Sequence, residues 1–154
     1  MKWLSHRSFA MVLIIFFAVP AYASPFLEER PPPSESLSTQ DAAAINEVIT
    51  LHLAALHNDD QEAAFALLAP ETQALFGDAE RFMRVMRQEF PVLCTVSEVY
   101  FGPLAWLNGH VVREMILVGN NFYPVRAFII MDQQPDGTWL INSLGILQAK
   151  KQAI

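Results

Sequence analysis

A second cysteine is the first thing this sequence lacks. Cys94 stands alone in 154 residues, so no intramolecular disulfide can staple the fold and stability has to come from an apolar core. Its neighbours in "PVLCTV" are apolar, which reads as a small buried residue rather than a reactive thiol. Signatures of chemistry are missing too. There is no G-x-S-x-G, no H-E-x-x-H, no phosphate-binding glycine loop, no paired cysteines and no EF-hand spacing, so the sequence predicts neither a metal nor a cofactor. Positive charge is scarce: ten Lys and Arg stand against sixteen Asp and Glu, a net charge of −6. That balance argues against nucleic acid and against anionic membrane surfaces as partners.

What is present begins with an N-terminal address. Lys2 and Arg7 precede the uncharged run "FAMVLIIFFAV" (9–19), and "AYA" (21–23) supplies the small residues of a cleavage site. This is the layout of a secretory signal peptide over 1–23, with a run too short to span a bilayer comfortably; an uncleaved N-terminal anchor is the other reading. Position 24 is Ser rather than Cys, which argues against lipid attachment there. Cleavage near Ala23/Ser24 predicts an exported protein, periplasmic or secreted, with no stable membrane anchor. Losing Lys2 and Arg7 and no acid takes the formal charge from −6 to −8. Residues 24–38, with Pro31, Pro32 and Pro33 consecutive, read as an extended tether. Residues 39–148 then form a single domain of about 110 residues, a size that supports a core, and 149–154 form a tail.

Within the domain the apolar period changes once. Ser38 or Thr39 caps a first helix whose first turn carries Asp41, and Ile45, Val48, Ile49, His52, Leu53 and Leu56 recur at helical spacing. Asn58, Asp59 and Asp60 end it and offer a cap to a second helix, "QEAAFALL". Pro70 blocks continuation of that helix, "ETQALF" makes a further turn or two closed by Gly77, and Asp78 caps a helix over "AERFMRVMRQEF". After Pro91, four runs rich in β-branched and aromatic residues predict strands over 95–101, 110–118, 122–131 and 138–147. Tight turns separate the last three from their neighbours at Asn108-Gly109, Gly119-Asn120-Asn121 and Pro135-Asp136-Gly137, and Gly102-Pro103 predicts a bend or bulge. The fold class is α+β: N-terminal helices packed on a curved four-stranded antiparallel sheet, a meander. The strands are apolar on both parities, Val112, Ile116 and Val118 alternating with Val111, Met115 and Leu117. Something must then cover the second face: a second copy of the chain, giving a homodimer, or else a thick strand core or the C-terminal tail.

The segments "DDQEAAFALLAPETQALFGDAERFMRVM", "FGPL" and "QQPDGTWLI" together resemble an uncharacterised bacterial family, domain of unknown function 4864, over most of residues 41–147. The most specific part is "FGDAERF" followed by "FGPL". The layout is also similar, at the level of fold, to the cone-shaped nuclear transport factor 2-like (cystatin-like) proteins, although the chain lacks a strand between its helices that many of them carry. The resemblance implies a pocket between helices and sheet and brings no catalytic residue with it.

Candidate residues follow from polar groups in apolar patterns. His52 lies at the centre of the first helix's apolar face, as a general base or ligand donor in a pocket, or as a core histidine satisfied by one partner. Glu89 falls inside the apolar arc of the last helix, where a dry pocket would raise its pKa, unless fraying beside Pro91 frees it to water. Arg81, Arg84 and Arg87 lie opposite that arc, a solvated stripe pairing with acids such as Glu80 or a dock for an anion. Arg113, Glu114, Arg126 and Asn142 interrupt apolar strands. Arg113 and Glu114 face opposite sides, and Arg126, if buried, needs a carboxylate partner. Tyr100 and Trp106 could line a pocket mouth.

Three functional readings remain. The first is a non-catalytic module binding a small apolar or amphipathic ligand or a protein partner in a helix–sheet cavity, with Tyr100, Arg126 and Asn142 as pocket candidates. The second is a small-molecule isomerase or hydrolase with His52 as base and Glu89, Arg126 or Tyr100 assisting. The third is a structural or assembly role as a sheet-mediated homodimer.

Overall fold

Helix caps set the N-terminal half of the domain. The structure, a computed structural model, describes residues 37–107, 109–119 and 122–147. The predicted signal peptide (1–23), nearly all of the tether (24–38) and the tail (149–154) lie outside the described residues, as do Asn108, Asn120 and Asn121 of the turns. Helix α1 runs Thr39–His57 behind a reciprocal cap, the Ser38 hydroxyl accepting from the Asp41 N–H at 3.0 Å and the Asp41 carboxylate accepting from the Ser38 N–H at 3.1 Å. These bonds hold the Asp41 carboxyl below its ordinary pKa. Helix α2 (Gln61–Ala66) starts on the Asp60 carboxylate, and α4 (Ala79–Glu89) on that of Asp78, which accepts from the Arg81 N–H at 2.7 Å. Between them α3 (Pro70–Phe76) places Pro70 at its first position, where the missing N–H is harmless. Gly77, at φ +85°, closes α3 in backbone space that a side chain disfavours.

Strands β1 (Val96–Leu107), β2 (His110–Gly119), β3 (Phe122–Gln133) and β4 (Trp139–Leu147) follow a short 3₁₀ turn, Leu93–Thr95, and pair antiparallel in the order β1-β2-β3-β4. The predicted meander of helices followed by four strands is therefore the fold. Two details differ from the sequence expectation. The first strand does not end near Phe101 but continues to Leu107, because Gly102-Pro103 forms a bulge in the register between Phe101 and Leu104. Pro103 is tolerated on this edge strand, and a Cβ on Gly102 would meet the Glu114 Cβ at 3.3 Å.

The second difference is that α2 stops at Ala66 rather than running on through Leu68. Residues 67–69 instead turn extended along the free edge of β4. The Ile141 N–H donates to the Leu67 carbonyl at 2.9 Å and the Ala69 N–H donates to the Ile141 carbonyl at 2.7 Å. Thr72 adds a hydroxyl bond to the Asn142 carbonyl at 2.6 Å. An exposed strand edge is a liability, and this segment covers part of it.

One face of the sheet meets the helices. Val111, Met115 and Leu117 of β2, Ala127, Ile129 and Met131 of β3, and Trp139 and Ile141 of β4 are buried against Ile45, Ile49, Leu53 and Leu56 of α1 and Phe82, Met83 and Met86 of α4. The other face carries Val112, Glu114 and Val118 half-buried, with Ile116 of β2 and Tyr100 of β1 exposed. On that face the Arg126 Nη2 donates to the Glu114 carboxylate at 2.9 Å.

Candidate functional site

The residues singled out in the sequence do not converge. His52 is fully buried, with its Nδ1–H donating to the Ala64 carbonyl at 3.0 Å and its ring tilted against Phe82 at 5.9 Å between centroids. Burial lowers its pKa to about 4, so the ring is neutral at pH 7 and its Nε2 lone pair is enclosed with no partner among the described residues. A general base must reach its substrate within about 3 Å or through one water, and a side chain with no exposure does not. His52 ties α1 to α2, and the isomerase or hydrolase reading loses the base it was built on.

Glu89 is the last residue of α4 and is exposed, so it does not face a dry pocket; it reaches water without fraying, since the Phe90 N–H still donates to the Met86 carbonyl at 2.9 Å. Arg81, Arg84 and Arg87 are exposed as a solvated stripe. Arg84 pairs with Glu80 at 3.7 Å, and Arg87 with Asp59, whose carboxyl its hydrogen bond holds below the ordinary value. Tyr100 and Arg126 sit on the outer face of the sheet, away from the helices. Tyr100 donates its hydroxyl to Glu98 at 2.6 Å, and Arg126, being exposed, has Glu114 as a solvated partner. The arginine on the buried face is instead Arg113.

A cleft of about 420 Å³ opens at the end of the sheet where β2 begins and β3 ends, lined by Glu71, Trp106, His110, Val111, Met131, Asp132 and Trp139 among others. The register places Val111 opposite both Trp106 and Met131, so neighbouring strands supply its apolar wall. Trp139 is held from behind, its Nε1–H reaching the Asp41 carboxylate at 3.3 Å. The polar side is organised around Asp132. One carboxylate oxygen accepts from the Asn142 side-chain amide at 2.6 Å, and the other lies 3.5 Å from His110 Nδ1. Asn142, a predicted pocket residue, thus acts one step behind the cleft by fixing Asp132. Trp106 was legible as a pocket-mouth aromatic. His110 and Asp132 were not, because only the β2–β3 register makes neighbours of them.

This arrangement suits recognition of a molecule with an apolar body and a donor-bearing head. Indole faces offer large rigid contact area and attract cations, while Glu71 and Asp132 offer acceptors. Among the described residues no three His, Cys, Asp or Glu side chains group as ligands for a metal ion. No curated protein matches this chain. A family model described as a domain of unknown function (DUF4864) matches residues 38–154, a span that takes in the helices, the sheet and every wall of the cleft. On that match the chain belongs to the DUF4864 family.

Proposed function

We propose that this domain is an exported, non-catalytic binding module that takes a small amphipathic ligand in the Trp106–Trp139 cleft. The observation that carries the reading is a cleft of ligand size whose lining includes two tryptophans together with Glu71, His110 and Asp132. Its volume falls within the range of small-molecule sites, roughly 300–1,000 Å³. Two carboxylates on the rim favour a head group that donates hydrogen bonds or carries positive charge. The resemblance of the layout to nuclear transport factor 2-like proteins implies a pocket between helices and sheet, whereas this cleft opens at the end of the sheet; export rests on the pattern of residues 1–23.

The tryptophans make the test direct. The chain has three, Trp3, Trp106 and Trp139, so in a Trp3→Phe chain only the two cleft indoles emit. Titration with phenethylamine is expected to change that emission saturably. Asp132→Asn should weaken the apparent affinity about tenfold, the loss of one charge-assisted contact, and Trp106→Ala should weaken it by at least as much. No saturable change with phenethylamine, or equal affinity in both variants, would remove the cleft from consideration.

A second reading, a homodimer through the outer sheet face, is favoured by one row of residues. Tyr100, Ile116, Arg126 and Leu147 are cross-strand neighbours across all four strands, and the three apolar members are 57%, 44% and 47% exposed. The adjacent row brings Glu114 beside Arg126, so a two-fold axis through the face can set each charge against its opposite. Four strands about 4.8 Å apart and about nine residues long give a face of roughly 600 Å² in projection, close to the scale of roughly 800 Å² per partner in stable dimers. Sedimentation equilibrium should show a dimer that Ile116→Lys converts to monomer; a monomer at high micromolar concentration would end this reading.

A further inference from the structure

Arg113 is the one charged side chain buried in the inner face of the sheet among the described residues, at 8% exposure. Its surroundings are apolar on every side that the sheet defines. Leu104 of β1 and Ile129 of β3 are its cross-strand neighbours, and Val111 and Met115, both buried, flank it on the same face of β2. The guanidinium carbon lies 5.1 Å from the centroid of the Phe101 ring. No carboxylate or carbonyl accepts a hydrogen bond from it among the described residues, and its Nε is fully enclosed without a partner. The side chain's residual exposure then lies toward its Nη end.

Burial of this kind is costly. Arginine stays charged in proteins, and a guanidinium removed from water without an anion loses hydration that one aromatic ring does not replace. Burial pulls the Arg113 pKa below its ordinary value, in the direction expected for a cation without a counter-charge. A strand position that wanted only packing would be filled more stably by Leu or Met. The outer face shows the contrast: Arg126 has its carboxylate at 2.9 Å and remains in water.

The geometry points to a binding site for a monocarboxylate with an apolar body, its carboxylate on the Arg113 guanidinium and its body against the half-buried Phe101 and Leu104 of the edge strand β1. One carboxylate cancels one guanidinium, and its two oxygens match the planar fork. A phosphate dianion would leave uncompensated charge in apolar surroundings, since no second cation is buried beside Arg113 among the described residues. The site is separate from the cleft, whose lining does not include Arg113, and it stands or falls independently of the proposed function.

The test is thermal unfolding of the full chain titrated with sodium benzoate and sodium octanoate, against sodium chloride and sodium phosphate at matched ionic strength. Carboxylate well above its dissociation constant is expected to raise the Tm by roughly 5 °C, while chloride and phosphate do not. Arg113→Met, which removes a buried charge and keeps apolar volume, should fold and lose the carboxylate response. Arg113→Lys, which keeps the charge but not the fork, should bind benzoate at least about tenfold more weakly by equilibrium dialysis. The proposal is overturned if the wild type gains no more from carboxylates than from chloride, as it would if a carboxylate of the chain itself occupied Arg113. It is equally overturned if phosphate matches benzoate, or if either variant binds benzoate as the wild type does. Should Arg113→Met fail to fold, dialysis with the wild type and Arg113→Lys decides alone.

Discussion

Lowering the pH from 7 to 4 is expected to cost this domain about 3 kcal/mol of folding stability through His52 alone. In the folded chain burial holds the imidazole pKa at about 4, while in the unfolded chain it titrates near the ordinary histidine value of 6.5. Between those two values the unfolded state binds the extra proton and the folded state does not, so stability is complete above about pH 6.5 and declines as the pH falls toward 4. Below 4 both states are protonated and this group contributes no further slope. Asp41, Asp59 and Asp136, whose carboxyls are lowered by their hydrogen bonds, shift stability in the same direction but at pH values below the ordinary 3.8 of the carboxyl. The window from pH 5 to 6.5 therefore isolates the histidine. Urea midpoints across that window should fall for the wild type. His52→Gln, whose amide can still donate to the Ala64 carbonyl, should fall much less. An identical slope in both proteins would show that the imidazole is not held neutral.

The helices that carry strong apolar periodicity, α1 and α4, were legible because each buries one stripe and caps itself locally with Ser38 or Asp78. The turns at Gly109 and Gly137 were legible from residues suited to positive φ. The end of α2 was not. Leu67, Leu68 and Ala69 fit a helix as well as an extended segment, and what decides between them is a pair of backbone bonds to Ile141, far along the chain. The same kind of distant partner hid the site. His52 was readable as inward-facing, but whether it meets a cavity or a closed core depends on where α2 puts the Ala64 carbonyl and α4 puts Phe82.

His110 and Asp132 become neighbours only through a β2–β3 register that shifts between Leu117 and Gly119. The inner face was ambiguous for a further reason. On β2 both parities are apolar, so alternation separated Arg113 from Glu114 without saying which of them was buried. Only the helices packed on Val111, Met115 and Leu117 settle that Arg113 points inward and Arg126, opposite Ile116, points out.

Phe82→Ala is expected to cost about 3–5 kcal/mol, the range for deleting a buried aromatic and leaving its cavity. Phe82 is among the largest fully buried side chains, and its ring gathers one partner from each of the other helices. It packs edge-on against Phe76 of α3 at 5.1 Å, tilted against Phe65 of α2 at 6.0 Å, and tilted against His52 of α1 at 5.9 Å. Such pairs contribute about 0.5–1.5 kcal/mol each beyond area burial, so the loss falls on the junction of all four helices. Domains of this size have about 5–15 kcal/mol in total, which leaves the variant little margin. Urea denaturation of the variant should show the lowered midpoint directly. A second readout follows from the geometry. With the ring removed, water can enter beside the enclosed Nε2 of His52, so the His52 pKa should rise from about 4 toward the ordinary histidine value, as an NMR titration of the imidazole would show. Acid sensitivity between pH 5 and 6.5 should then shrink even as overall stability drops. A Phe82→Ala protein that loses under about 1 kcal/mol, or that keeps the His52 titration unchanged, would mean that the ring does not seal this junction.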